Sequence, residues 1–242
     1  MVLTGQKTEH HYCGVNCGIM DQFASVFGKA GNLIRLDCST MEYEYIPFDP
    51  QGYKLVLIDS VTKHELVDSP YNKRRQSCER AAAAIAGNHP EVKLLGDATL
   101  EMLEEVKDKI SEEDYMRATY AIQENSRLAV PIASANAEEC EALKRGDYET
   151  VGKNIYATHH GMSKLYEVST EELDFLNDVA KECGVTGSRI MGGGFGGCTI
   201  NLVKDAYYDR FIETAISRFK TKFGKEPKVY PVTISDGARK LN

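Results

Sequence analysis

The 242-residue chain contains no apolar run near the ~18 residues that a membrane-crossing helix requires, and no charged and then apolar leader, so neither a spanning segment nor a secretory signal is expected. It has no excess of positive charge either: 29 Lys and Arg stand against 36 Asp and Glu, a net charge of -7, with the cations scattered among acids. That excludes the basic stripe of a nucleic-acid binder and leaves small molecules as the expected partners. Seven cysteines is an odd number and they follow no framework spacing, which suits a reduced, cytoplasmic setting. His10, His11, Cys13 and Cys17 are close in sequence, but no second Cys/His pair follows at finger spacing and Gly14 breaks the helix, so no metal site is expected. What is present is a hydrophobic content of 42%, enough for the core of one large domain or two small ones.

The stretch Gly14 to Cys38 organises the rest, because it sets one acid, Asp21, between Gly18-Ile19-Met20 and Gln22-Phe23-Ala24. An aspartate among apolar residues needs a reason. As an N-cap it would accept backbone N–H bonds from a helix starting near Met20, whose core face is Phe23, Val26 and Phe27. As a working carboxylate it would be favoured by the positive end of the same helix. The two readings are compatible.

Residues 5 to 12 read as the tail of a helix with no cap before it, the first sign that the chain is truncated. Residues 33 to 37, 43 to 48 and 53 to 59 alternate or run apolar as strands of one sheet, with an edge of that sheet missing. His64 lies in a connector from 61 to 70. Tyr71 opens an alanine-rich helix ending at Gly87, and its early basic residues, read as a solvated face, call for an acidic neighbour because they oppose the helix dipole. Residues 98 to 144 read as amphipathic helices, with Leu100, Leu103 and Val106 on one stripe, Ile122 and Leu128 on another, and a loop at 129 to 139 around Pro131. A helix over 147 to 165 carries His159 and His160 facing different ways, and Ser169 is placed to cap the helix that follows. Near the end, Tyr207 to Phe223 reads as a helix and 228 to 234 as a strand returning towards Asp21.

Gly192 to Gly197 match the spacing G-x-G-x-x-G of a dinucleotide loop, but the flanking context differs. A dinucleotide loop opens a helix; here 188 to 191 and 198 to 203 are both strand-like, so the loop closes a hairpin, and no Lys-Ser/Thr follows it as in a Walker loop. A tight turn explains one or two glycines, and close approach of backbone to a bound group explains five of six better.

Four blocks together resemble the galactokinases, within the superfamily that also holds homoserine, mevalonate and phosphomevalonate kinases. They are CGIMDQF at 17 to 23, HEL at 64 to 66 with YNKRRQ at 71 to 76, HH at 159 and 160 with LYEVS at 165 to 169, and GGGFGGC at 192 to 198. The resemblance implies an α+β, two-domain kinase fold: a partial N-terminal domain over 1–62 with a returning strand over 228–242, and a complete ferredoxin-like C-terminal α/β domain over 63–227. It implies transfer of phosphate from ATP, with Mg2+, to the anomeric hydroxyl of galactose. Asp21 would take or orient the hydroxyl proton, Gly18 and Tyr71 would bind the sugar with Asp21, and Gly192, Gly193, Gly194, Phe195, Gly196 and Gly197 would form the loop beside substrate and phosphates. His64 is a further candidate for direct contact. The family's N-terminal motif of arginine, glutamate, histidine and aspartate, and its serine- and glycine-rich helix-opening loop, have no match in the chain. A truncated member is therefore expected, inactive alone, with an open sheet edge inviting self-association or pairing with a missing N-terminal half. A non-catalytic galactose-sensing regulator and an N-acetylgalactosamine kinase are the alternatives.

Overall fold

Alternating and continuous apolar runs become strands wherever a partner can bury them, and among the described residues six strands divide between two sheets. The computed structural model describes residues 1–62, 70–128 and 138–240. The smaller sheet is an antiparallel hairpin of β1 (Asn32–Leu36) and β2 (Tyr43–Pro47), with Leu33 opposite Ile46. The larger has the order β4-β5-β3-β6, from β3 (Tyr53–Asp59), β4 (Gly187–Ile190), β5 (Cys198–Lys204) and β6 (Lys228–Val232), each neighbouring pair antiparallel. The single sheet expected from residues 33 to 59 is therefore corrected to two. β3 takes β5 and β6 as its two neighbours, whereas the β1–β2 hairpin packs Ile34 and Leu36 on the Ile19–Phe23 side and Leu33 and Ile46 on the α6–α7 side, so it is held by side-chain packing on both faces and not by pairing with β3.

One face of the larger sheet is covered by α8 (Glu171–Glu182) and α9 (Asp205–Phe223). Val56, Ile58 and Val203 meet Leu176, Val179 and Ala180 of α8 and Phe211, Ala215 and Phe219 of α9, the last three at a spacing of four that lays one stripe on the strands. On the opposite face Leu55 and Leu202 pack with Phe48, Ala142 and Val151, bringing in α6 (Glu138–Arg145) and α7 (Tyr148–Lys164). Asp147 caps α7 by accepting the Thr150 N–H at 3.1 Å. α7 lies against β4 at backbone distance: a Cβ on Gly152 would stand 2.0 Å from the Thr186 carbonyl oxygen.

A third core joins α3 (Tyr71–Ala86), α4 (Leu100–Glu104) and α5 (Glu112–Leu128) through Ala81, Ile85, Leu103, Val106, Ala118 and Ile122. Leu103 and Val106 are fully buried, but Leu100, the first residue of α4, is exposed. His64, most of the loop expected at 129 to 139, and the Leu128 side chain lie outside the described residues.

At the start of the chain α1 (Val2–Thr8) continues into one wider helical turn, Glu9–Cys13, ended by Gly14. It packs on α2 (Met20–Phe27) through Val2, Ile19 and Phe23. The tail after β6 reaches the far end of α2, where the Ala238 N–H donates to the Ser25 carbonyl and the Gly237 N–H to the Gly28 carbonyl, both at 2.7 Å.

Candidate active site

Helix α2 starts where the Met20 backbone turns in, with Ile19 at the cap position and no side-chain capping bond. Asp21 is therefore not the N-cap but the second residue of the first turn. The correction follows from Ile19, which is buried under α1 and starts the helix through tertiary packing instead of a polar cap. The Asp21 side chain is left exposed at the positive end of α2.

Asp21 lines a cleft of about 260 Å³ with Cys17, Gly18, Met20, Tyr71, Tyr120, Met162, Tyr166, Val168, Gly192 and Gly193. Five segments far apart in the chain converge there: the turn before α2, the first residue of α3, the middle of α5, the end of α7 with the turn after it, and the β4–β5 loop. Of the residues singled out in the sequence, Gly18, Asp21, Tyr71, Gly192 and Gly193 share this space. Tyr71 is half-buried; burial pushes its hydroxyl above the ordinary value, and the Gly18 backbone N–H, donating to it, works the other way.

The rest of the glycine loop faces elsewhere. Phe195 is buried against Met162, Val168, Leu173 and Ile190, at φ 61°, and its N–H donates to the Val168 carbonyl at 2.7 Å. The Gly197 carbonyl accepts from both the N–H and the hydroxyl of Ser60 at 2.9 Å. The loop does close the β4–β5 hairpin, and only its first two glycines border the cleft.

Of the basic residues of α3, Lys73, Arg75 and Arg80 are exposed, as a solvated face requires, and Arg74 lies behind the cleft. Arg74 is buried instead of forming a solvated face: its Nε donates to the Tyr166 carbonyl at 2.6 Å, an Nη to the Glu167 carbonyl at 2.8 Å, and its guanidinium sits 5.7 Å from the Phe195 ring centre. Burial pushes this guanidinium below its ordinary value, helped by Arg117 and opposed by Glu167 and Glu113. Arg117 is buried beside it, donating to Ser77 Oγ at 2.9 Å and to Glu167 at 3.3 Å. Acidic compensation comes from Glu167 in the turn after α7, 3.9 Å from Arg74, from Glu79, 2.8 Å from Arg75, and from Asp114, 2.7 Å from Arg80.

The adjacent histidines do face apart. His159 is buried, with Nε2 3.2 Å from Asp174 Oδ1, and His160 is exposed. Ser169 does not cap α8. Thr170 does, accepting the Leu173 N–H, and the Ser169 hydroxyl donates to Asp174 at 2.5 Å. A cap must precede the first helical residue directly, and Thr170 holds that place.

Sequence reasoning missed Cys17, Met20, Tyr120, Met162, Tyr166 and Val168 as cleft residues. Tyr166 and Val168 sit inside the LYEVS block and could have been found there; Tyr120 lies mid-helix with no local signal. Its ring centre is 5.0 Å from that of Tyr166, and burial raises both hydroxyls well above the ordinary tyrosine value. Tyrosine faces with hydroxyls at their edges make a wall apolar in area and polar in places, the kind that takes a small polar ligand. Among the described residues no group of three or more His, Cys, Asp or Glu is placed to hold a metal ion.

Residues 140–221 match the family model described as GHMP kinases C terminal. The whole chain is 40% identical to a galactokinase of Fusobacterium nucleatum, covering 60% of that protein, and 98% of it is 42% identical to a galactokinase of Clostridium acetobutylicum, covering 59%. Among solved structures it is similar to Lactococcus lactis galactokinase complexed with galactose, with 33% identity and a TM-score of 0.89 over 99% of this chain and 60% of that one. The chain thus spans about 60% of the length of these relatives.

Proposed function

We propose that this chain, which belongs with the galactokinases among the GHMP kinases, carries the sugar-accepting side of a galactokinase site and binds galactose in the cleft between Asp21, Tyr71 and Gly192-Gly193. The observation that supports this most is the convergence of those residues, from three distant segments, on one space of about 260 Å³. The Lactococcus relative with its bound galactose has the same fold over almost the whole chain.

In this reading the tyrosine wall shields one side of the sugar and the Tyr71 hydroxyl hydrogen-bonds it. The two glycines bring bare backbone close to the anomeric end. Asp21, exposed into the cleft, accepts or orients the anomeric proton as the hydroxyl oxygen attacks the transferred phosphoryl group. Such help contributes about 10²–10⁴ in rate, with positioning supplying much of the remainder. ATP supplies the phosphoryl group in kinases of this family. The described residues offer it neither a helix-opening phosphate loop at 192–197, which is a strand hairpin, nor a ligand cluster for Mg2+. No step above is routed through either.

Isothermal titration of the folded chain with galactose, glucose as the control sugar, tests the reading. Binding that prefers galactose and weakens in Tyr71→Phe is expected. A folded chain that takes up no galactose at millimolar concentration would overturn it.

A further inference from the structure

One wall of the cleft is the turn 165–169 between α7 and α8, which carries Tyr166 and Val168. Glu167 stands in it at φ 53°, a left-handed conformation that a residue with a side chain keeps only when its surroundings enforce it. The Tyr166 N–H donates to the Gly161 carbonyl and the Val168 N–H to the Met162 carbonyl, both at 2.9 Å, and two side chains tie the turn to neighbouring helices. From α3, Arg74 donates to the carbonyls of Tyr166 and Glu167. From α8, the Asp174 carboxylate gathers Ser163 Oγ at 2.8 Å, His159 Nε2 at 3.2 Å and Lys164 Nζ at 3.5 Å from before the turn, and Ser169 Oγ at 2.5 Å from its last residue. Capping α8 needs none of these, since Thr170 does that alone.

The turn in turn seats the glycine loop. The Val168 carbonyl accepts the Phe195 N–H, and Gly194 is pressed so close that a Cβ would stand 2.7 Å from Cβ of Val168. Tyr166 and Val168 on the turn, and Gly192 and Gly193 on the loop, all face the cleft. A displacement of the turn therefore moves two of its walls together.

We propose that Asp174 is a positioning residue for the cleft: by tying Ser163 and His159 to Ser169 it fixes the 165–169 turn, and through Val168 it sets where Gly192 and Gly193 stand relative to Asp21. The consequence for sugar binding rests on the reading of the cleft given above. The mechanical part does not, because it concerns the turn and the loop alone.

Amide hydrogen exchange of the whole chain, followed residue by residue by NMR, separates the two. Ser169→Ala removes one donor at the edge of the network. It is expected to leave the melting temperature and the exchange of the Leu176 amide in α8 near the parent's, while the Phe195 amide exchanges about tenfold faster. Ser169→Thr, which keeps the hydroxyl, should restore the Phe195 protection, and Asp174→Asn should accelerate it at least as much as Ser169→Ala. Should Asp174→Asn not fold, the two Ser169 variants decide. Phe195 exchange in Ser169→Ala within twofold of the parent, or an equal acceleration of every amide including Leu176, would overturn the proposal. Galactose is then added: protection of Gly192 and Gly193 in the parent, reduced in Ser169→Ala, is expected. If galactose protects neither glycine even in the parent, the galactose reading fails while the sugar-free comparison still decides the role of Asp174.

Discussion

A Cβ built on Gly194 would stand 2.3 Å from the carbonyl oxygen of Val168, at a backbone φ of +79°. No side chain fits there without moving the turn after α7. Gly192 has a similar φ of +76° but nothing within 4 Å. Gly194→Ala is therefore expected to cost more than Gly192→Ala, which carries only the left-handed strain of about 1–2 kcal/mol. Urea denaturation of both variants checks the order, and equal losses would show that the Val168 contact yields freely.

Arg74→Met should destabilise the chain by about 1–3 kcal/mol, since it strands carbonyls of the 165–169 turn that the guanidinium now satisfies. Arg74→Lys should recover only part of this, because an ammonium on a single stem cannot reach the Tyr166 and Glu167 carbonyls as a fork. Full recovery by lysine in a denaturation titration would reduce the role to charge.

Asp174 carries a pH signature. Burial works to raise its pKa, and the hydrogen bonds from His159, Ser169 and Ser163 overcome this and hold the carboxyl well below the usual carboxylate range. With the folded value depressed, the unfolded chain binds the proton more readily, so this contribution is fully present above the unfolded value, near pH 4, and is lost as pH falls through the folded value. Stability of the parent is expected to decline more steeply below about pH 4 than that of Asp174→Asn. Parallel melting curves for the two proteins across that window would contradict the assignment.

Asp21 is exposed and caps nothing by its side chain, so Asp21→Asn should change stability by less than about 0.5 kcal/mol. In a chimera carrying the N-terminal part of a curated relative, the same change should cut phosphoryl transfer to galactose by about 10²–10⁴. A chimera that loses neither rate nor stability would leave Asp21 without a role.

Tyr71→Phe deletes one hydroxyl and little area. Galactose affinity should fall by about 0.5–1.5 kcal/mol, the value of a single hydrogen bond, with an unchanged melting curve. Calorimetry reads this directly; unaltered affinity would place the sugar away from α3.

Much of this was legible residue by residue. The amphipathic spacing of Phe211, Ala215 and Phe219, the start of α3 at Tyr71, and the glycine run between two strand-like stretches each follow from local chemistry, and so do the elements they form. Local pattern was weaker where two readings share one signal. Asp21 before an apolar spacing looks like a cap, and the burial of Ile19 under α1 displaces it by two positions. The cations of α3 look like a solvated face, yet Arg74 turns inward because carbonyls 92 and 93 residues away wait for it.

By itself the sequence determined the elements and marked Asp21 and the glycines, because periodicity, turn chemistry and short motifs depend only on neighbours along the chain, while Tyr71 was marked through the resemblance to the galactokinases. Only the tertiary structure decided which strands share a sheet, that Gly192 and Gly193 and not Gly194 to Gly197 border the cleft, and that Tyr120, Tyr166 and Val168 complete it. These depend on contacts between segments tens of residues apart, where packing and the pairing of buried polar groups select one arrangement among many that the local pattern allows.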